Sequence, residues 1–203
     1  DIIRKRPYML CAVKGFGFLT VDNIGRALGK NLNDPMRISG CISYVLNEAM
    51  KEGHLYLEQE ILTERALEVL NKDLTFQAVT AQNVSNVLYR LVMQNSIVLD
   101  GEKVYTFRQF EAEEQTAAMV ARRILYPMEP LDVEIELVQA QKVLGISLSE
   151  KQKQAVRMVF ANPISIITGG PGTGKTTVLK VILYIHGMKC KSEVQLMAPT
   201  GRA

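Results

Sequence analysis

The stretch that most restricts the fold is "SIITGGPGTGKTTVLK", Ser165 to Lys180, which sets four glycines and a proline between an apolar run and a helix-like run. Glycine at this density destabilises the interior of a strand or helix, so the backbone must form a tight loop here. The expected local structure is strand, loop, helix. Residues Gly169-Gly170-Pro171-Gly172-Thr173-Gly174-Lys175-Thr176 fit the pattern G-x-x-x-x-G-K-[ST] in that setting. Its physics is direct: glycines let successive backbone N–H groups turn inward around an anion, and a helix starting near Lys175 aims its positive dipole end at the same place. Lys175 is then placed to reach the β- and γ-phosphates of a nucleotide, and the Thr176 hydroxyl to ligate Mg²⁺. The candidate nucleotide-binding residues are Gly169, Gly170, Pro171, Gly172, Thr173, Gly174, Lys175, Thr176 and Thr177. Lys175 and Thr176 are the candidate catalytic pair, with ATP and Mg²⁺ as the expected ligands. The competing reading is a glycine-rich turn with no ligand.

The totals bound the rest. The 203 residues, 47% hydrophobic and 22% charged, suffice for one large domain or two small ones with buried cores. The formal charge of +3 is too small to identify a nucleic-acid binder, so only a local basic surface could do so. Cys11, Cys41 and Cys190 are odd in number and lack CxxC spacing, which argues against zinc and a disulfide framework and for a reducing, cytoplasmic setting. No apolar run approaches the ~18 residues of a membrane span, so no membrane partner is expected. The opening "DIIRKRPYML" has no apolar h-region and no initiator Met, and reads as the start of an excised piece rather than a signal peptide.

Before the loop the patterns are mostly helical. Two short helical runs flank "KGFG", with Tyr8, Leu10 and Val13 before it and Val21, Ile24 and Leu28 after it; Thr20 is a candidate helix cap. Asp34 as N-cap, Pro35 at the first helical position and Gly53 as stop delimit the next helix, followed by another over Thr63 to Asn71. Val84, Val87, Leu88 and Leu91 share one helical face, and Asp100-Gly101 marks a turn between two short β-like runs, a winged-helix-like order. "EAEEQTAAMVARRIL" reads as a polar-faced helix ending before Pro127, and "PMEPLD" as the linker at the main domain boundary. After it come a helix over "SEKQKQAVRMVFA", a buried strand "SIIT", a helix closed by Gly187 and a second strand "EVQLMAPT", one βαβ unit of a parallel sheet. The expected class is α+β. Its parts are a helix-hairpin-helix over 1–33, a helical, winged-helix-like domain over 34–110, a connecting helix and linker over 111–145, and the start of a RecA-like P-loop α/β domain over 146–203.

With "LSEKQKQAV" upstream and "APTGRA" downstream, the loop resembles the front of a superfamily 1 helicase motor, and is most similar to RecD-like/TraA DNA helicases. The resemblance implies an ATP-dependent DNA helicase, an ATP hydrolase of 5′→3′ polarity acting in recombination and repair. It implies that Gln152 recognises adenine, and that Pro199, Thr200, Gly201 and Arg202 contact single-stranded DNA phosphates. It also covers "RPYMLCAVKGFGFLTVDNIG", where Lys14, Gly15 and Gly17 would accept a DNA phosphate at a duplex junction, although a purely structural hairpin is an equal reading. Phe16 and Phe18, bracketing Gly17, either pack inward or face a neighbouring domain. His54 and His186 have no motif partners and read as helix-end residues.

The resemblance further implies an acidic pair on a later strand and arginines from a second RecA-like domain, none of which lies within these residues. Without them, turnover by this stretch alone is expected to be negligible. The opening βαβ is expected to leave an unpaired edge and an uncovered apolar strand face, in a piece of a longer chain or paired with another copy. A second reading is a P-loop ATPase switch or clamp that binds DNA without unwinding it. A third is a DNA-binding or partner-docking domain without catalysis.

Overall fold

Asp34 and Pro35 start the helix around which the first part of the chain assembles. The Asp34 carboxylate accepts the Met36 N–H at 2.8 Å, capping α3 (Pro35–Lys51), and Gly53 follows the helix with φ +94°. Ile38, Cys41, Ile42, Val45, Leu46 and Ala49 form a buried stripe along it. The computed structural model describes residues 2–13, 15–190 and 192–198, with the backbone alone at 2, 3 and 12. The chain divides into two units, Asp1–Thr116 and Ala117–Ala203, each with its own apolar core.

In the first unit α1 (Ile2–Lys5), a 3-10 turn (Pro7–Ala12) and α2 (Phe18–Ala27) precede α3, and α4 (Gln59–Leu70) and α5 (Ala81–Met93) follow it. Val84, Val87, Leu88 and Leu91 are the buried face of α5, as their spacing requires. Strands β1 (Tyr56–Glu58), β2 (Ile97–Asp100) and β3 (Lys103–Thr106) form an antiparallel sheet of order β1-β3-β2, pairing Leu57 with Val104 and Val98 with Tyr105. The β2–β3 turn is the expected one, with Gly101 at φ +60°. β1 was not expected, and α4 begins at Gln59 rather than Thr63. Three residues are too short for alternation to show, and the strand exists through its pairing with β3.

The hairpin region differs in detail. Tyr8, Phe18 and Val21 are buried, while Val13 and Leu28 are exposed. Phe18 packs inward and Phe16 stays at the surface. Thr20 does not cap α2: Gly17 is the N-cap and no side chain bonds there. Gly25 lies against the Tyr8 ring, where a Cβ would meet the hydroxyl oxygen at 2.5 Å.

That hydroxyl belongs to a buried polar cluster. It donates to Asp22 Oδ1 at 3.0 Å, while Arg37 Nε and Nη2 donate to Asp22 Oδ1 and Oδ2 at 2.6 and 2.9 Å. Arg37 also donates to the carbonyls of Leu32 and Leu70, both at 2.9 Å, the latter closing the C-terminus of α4. Burial, then the Asp22 charge, pushes the Tyr8 hydroxyl above its ordinary range. Burial would lower Arg37, but its bonds and charge pairing with Asp22 outweigh it and raise it. Burial also pushes the Cys41 thiol up to about 12, so this cysteine stays protonated at neutral pH.

α6 (Phe107–Ile124) starts directly after β3 and ends before Pro127, with no buried residue along it. The second unit then builds on α7 (Glu134–Leu144), α8 (Glu150–Ala161) and α9 (Lys175–Lys189). Leu137 and Ala140 of α7, Val156 and Phe160 of α8, and Val178, Val181 and Ile185 of α9 meet in its core. α7 was not expected from the sequence, although Gly145, left-handed at φ +63°, marks its end. α9 runs past Gly187, the expected stop, to Lys189.

The expected parallel βαβ is not seen. Neither 165–168 nor 193–198 forms a ladder, and Ile166 is 79% exposed rather than buried. Leu196 and Met197 are exposed as well. A strand is defined by its neighbour, and two parallel segments alone gain too little from pairing to hold each other. Ile167 alone of the first run packs against the core.

Arg157 of α8 grips Glu134 at the start of α7 in a two-pronged pair, its Nη2 at 3.0 Å from Oε2 and its Nε on Oε1. The bond from Arg157 holds the Glu134 carboxyl below the usual carboxylate range. A lowered pKa in the folded state makes the pair's contribution present above the ordinary carboxylate pKa and lost as pH falls through the lowered value. Acid titration of the Glu134 side chain by NMR should therefore give a midpoint below that of a free glutamate. Arg157→Ala should move it back up.

Candidate nucleotide site

The phosphate-loop residues are brought together at the head of α9. Val178, Val181 and Ile185, spaced three and four apart, bury one face of this helix and so fix where its first turn lies. Gly174 is its N-cap, with φ +83°, and no side chain caps it. No acidic residue occupies the first turn. The first N–H groups of a helix have no intrahelical partner, so here they remain available to an anion that the dipole favours.

The loop's own bonds shape it. Lys175 Nζ donates to the carbonyls of Gly169 and Gly170 at 2.6 and 2.8 Å, so its ammonium sits on the loop itself. An ammonium carries three protons, which leaves one to direct at a bound anion. Thr173 Oγ1 donates to the Gly170 carbonyl at 2.9 Å. At Gly169 a Cβ would lie 2.6 Å from Thr173 Oγ1, a space only glycine leaves clear. Lys175 and Thr176 are exposed, Thr177 is half-buried, and Gly172 has φ +74°. A loop poor in side chains, a cation beside it and an exposed hydroxyl on the first helical turn fit a triphosphate with Mg²⁺, an ion that takes few protein oxygens and keeps waters and phosphates for the rest.

Gln152, two turns of argument from the glycines in the sequence, is at the loop in space. Ser149 and Gln152 form a capping box at the head of α8: the Ser149 N–H donates to Gln152 Oε1 at 2.9 Å, and the Gln152 N–H to Ser149 Oγ at 3.4 Å. Gln152 Nε2 donates to the Thr173 carbonyl at 3.1 Å. The serine three residues before the glutamine signals the cap in the sequence; nothing local signals the bond to Thr173. His186 bonds Ser192 Oγ at 3.1 Å in the last turn of α9, and His54 lies just past α3.

The proposed DNA residues are only partly visible. Gly15 has φ +99° and Gly17 caps α2, so both shape the hairpin. Lys14, Pro199, Thr200, Gly201 and Arg202 lie outside the described residues. A groove of about 540 Å³ in the first unit, lined by Tyr8, Met9, Cys11, Met36 and Arg90 among others, contains none of the loop residues. Among the described residues no helix is long and apolar enough to cross a membrane.

A glycine-rich loop with a lysine and a threonine at a helix head defines a phosphate-binding class of protein, and residues 152–203 match a family model described as an AAA domain. Residues 1–56 match that of the "ATP-dependent RecD2 DNA helicase HHH domain". The chain is a relative of the RecD-type helicases. It is 29% identical over 212 residues to the ATP-dependent RecD2 DNA helicase of Deinococcus radiodurans, an alignment covering 100% of this chain and 29% of that protein. It is 32% identical over 186 residues to RecBCD enzyme subunit RecD of Buchnera aphidicola subsp. Schizaphis graminum, covering 83% of this chain and 29% of that protein. A 54-residue stretch is 52% identical to RecBCD enzyme subunit RecD of Haemophilus influenzae, covering 26% of this chain and 8% of that protein. The chain thus spans about 29% of the length of the first two relatives.

Proposed function

We propose that this chain is the nucleotide-binding and DNA-engaging part of a RecD-type, ATP-dependent DNA helicase. The observation that carries the reading is the uncapped head of α9 with the Lys175 ammonium on the loop and the Thr176 hydroxyl exposed beside it. Lys175 would neutralise phosphate charge, Thr176 would ligate Mg²⁺, and the loop amides of Gly170 to Gly174 would cradle the phosphates. When bound, Mg²⁺ supplies charge neutralisation of the phosphate oxygens. The 5′→3′ polarity, the role in recombination and repair and the cytoplasmic setting come with the family likeness. Residues 34–110 follow the helix–strand–helix–helix–strand–strand order of a winged-helix-like domain. The remaining divisions at 1–33, 111–145 and 146–203 complete the proposed organisation.

For DNA, Gly15 and Gly17 at the hairpin and Pro199, Thr200, Gly201 and Arg202 after the second apolar run are the proposed contacts, with Lys14 as a neighbouring cation. Such contacts position a backbone and do not read sequence. Titration calorimetry of the chain with ATP tests the nucleotide part: heat of binding is expected with Mg²⁺ present, accompanied by negligible turnover. No binding of ATP at millimolar concentration, with or without Mg²⁺, would overturn it.

A further inference from the structure

We infer that Gln152 is a positioning residue for the phosphate loop and does not read the base; the inference rests on the phosphate-binding reading above. Both polar ends of its amide are engaged by the protein. Oε1 accepts the Ser149 N–H at 2.9 Å and Nε2 donates to the Thr173 carbonyl at 3.1 Å. Reading the edge of a purine takes one donor and one acceptor from the same amide, so base recognition would break both bonds. The close approach at Gly174 supports the tie independently. A Cβ there would lie 2.5 Å from Gln152 Nε2, so the amide fills the space that glycine leaves.

The consequence for phosphate binding follows from the planarity of the peptide. In a trans peptide the C=O of one residue and the N–H of the next point in opposite directions, and no peptide bond among the described residues is cis. Holding the Thr173 carbonyl toward α8 therefore turns the Gly174 N–H away from α8. With φ at +83°, Gly174 has the freedom to flip that peptide if the carbonyl is released. Gln152 is thus the group that fixes one loop donor in a single orientation. Its effect is on the phosphates, whatever base they carry.

Binding of Mg²⁺–ATP, Mg²⁺–GTP and Mg²⁺–tripolyphosphate to the chain, compared for wild type, Gln152→Ala and Ser149→Ala, tests this. Gln152→Ala should weaken all three by the same factor, roughly three- to tenfold for one hydrogen bond. Ser149→Ala loosens the α8 cap but leaves the tie to Thr173, and should leave all three affinities unchanged. A loss confined to ATP would make Gln152 a base reader and overturn the inference. So would an equal loss in Ser149→Ala, since the effect would then be that of a loosened helix. Amide hydrogen exchange supplies a readout without ligand: residues 172–175 should exchange faster in Gln152→Ala and not in Ser149→Ala. If wild type binds none of the three, the phosphate reading fails, and exchange alone then judges the tie. Unchanged exchange at 172–175 in Gln152→Ala overturns it.

Discussion

Replacing Lys175 with alanine is expected to lower the ATPase rate of a protein carrying this chain by at least ~10²-fold, the loss typical when a preorganised charge partner of the reacting group is removed. Two effects combine. The ammonium that would face the phosphates disappears, and so do its bonds to the Gly169 and Gly170 carbonyls, which leaves those carbonyls facing an incoming polyanion. DNA binding in the absence of nucleotide should be largely retained, since the proposed DNA residues lie elsewhere in the chain. Steady-state ATPase assays with single-stranded DNA, alongside DNA binding at fixed salt, check both halves. An ATPase rate within a few-fold of wild type would remove Lys175 from the phosphate site and favour the reading as a DNA-binding domain without catalysis.

The largest expected effect on stability comes from Arg37→Ala, about 3–5 kcal/mol for breaking one side of a buried pair. Arg37 has no exposed surface and Asp22 is 5% exposed, so solvent cannot replace what is lost. The substitution leaves the Asp22 carboxylate with the Tyr8 hydroxyl, and the Leu32 and Leu70 carbonyls without this donor. The double change Asp22→Leu with Arg37→Met should be milder than Arg37→Ala alone, because it leaves no uncompensated charge. Hydrogen exchange of the α3 amides reads the first unit without the second. If Arg37→Ala leaves that protection unchanged, the cluster is not what holds α2, α3 and the end of α4 together.

What the sequence determined by itself was local. Asp34 and Pro35, the α5 face of Val84, Val87, Leu88 and Leu91, the turn at Gly101, and the loop before α9 are all set by neighbours within a few positions. Caps, turns and helical faces depend on contacts no more than one or two turns apart, so a short window contains their cause. Asp22 stood on the same face as Phe18, Val21 and Gly25, a sign that a charge would be buried, but its partner is fifteen residues away. Tertiary structure decided the rest. Arg37 reaches Leu70 across thirty-three positions, Gln152 reaches Thr173 across twenty-one, and β1 becomes a strand only by lying beside β3. The same dependence works in reverse at 165–168 and 193–198: the residues favour strands, yet backbone hydrogen bonds between strands need a partner at the right distance, and periodicity along one chain cannot supply it.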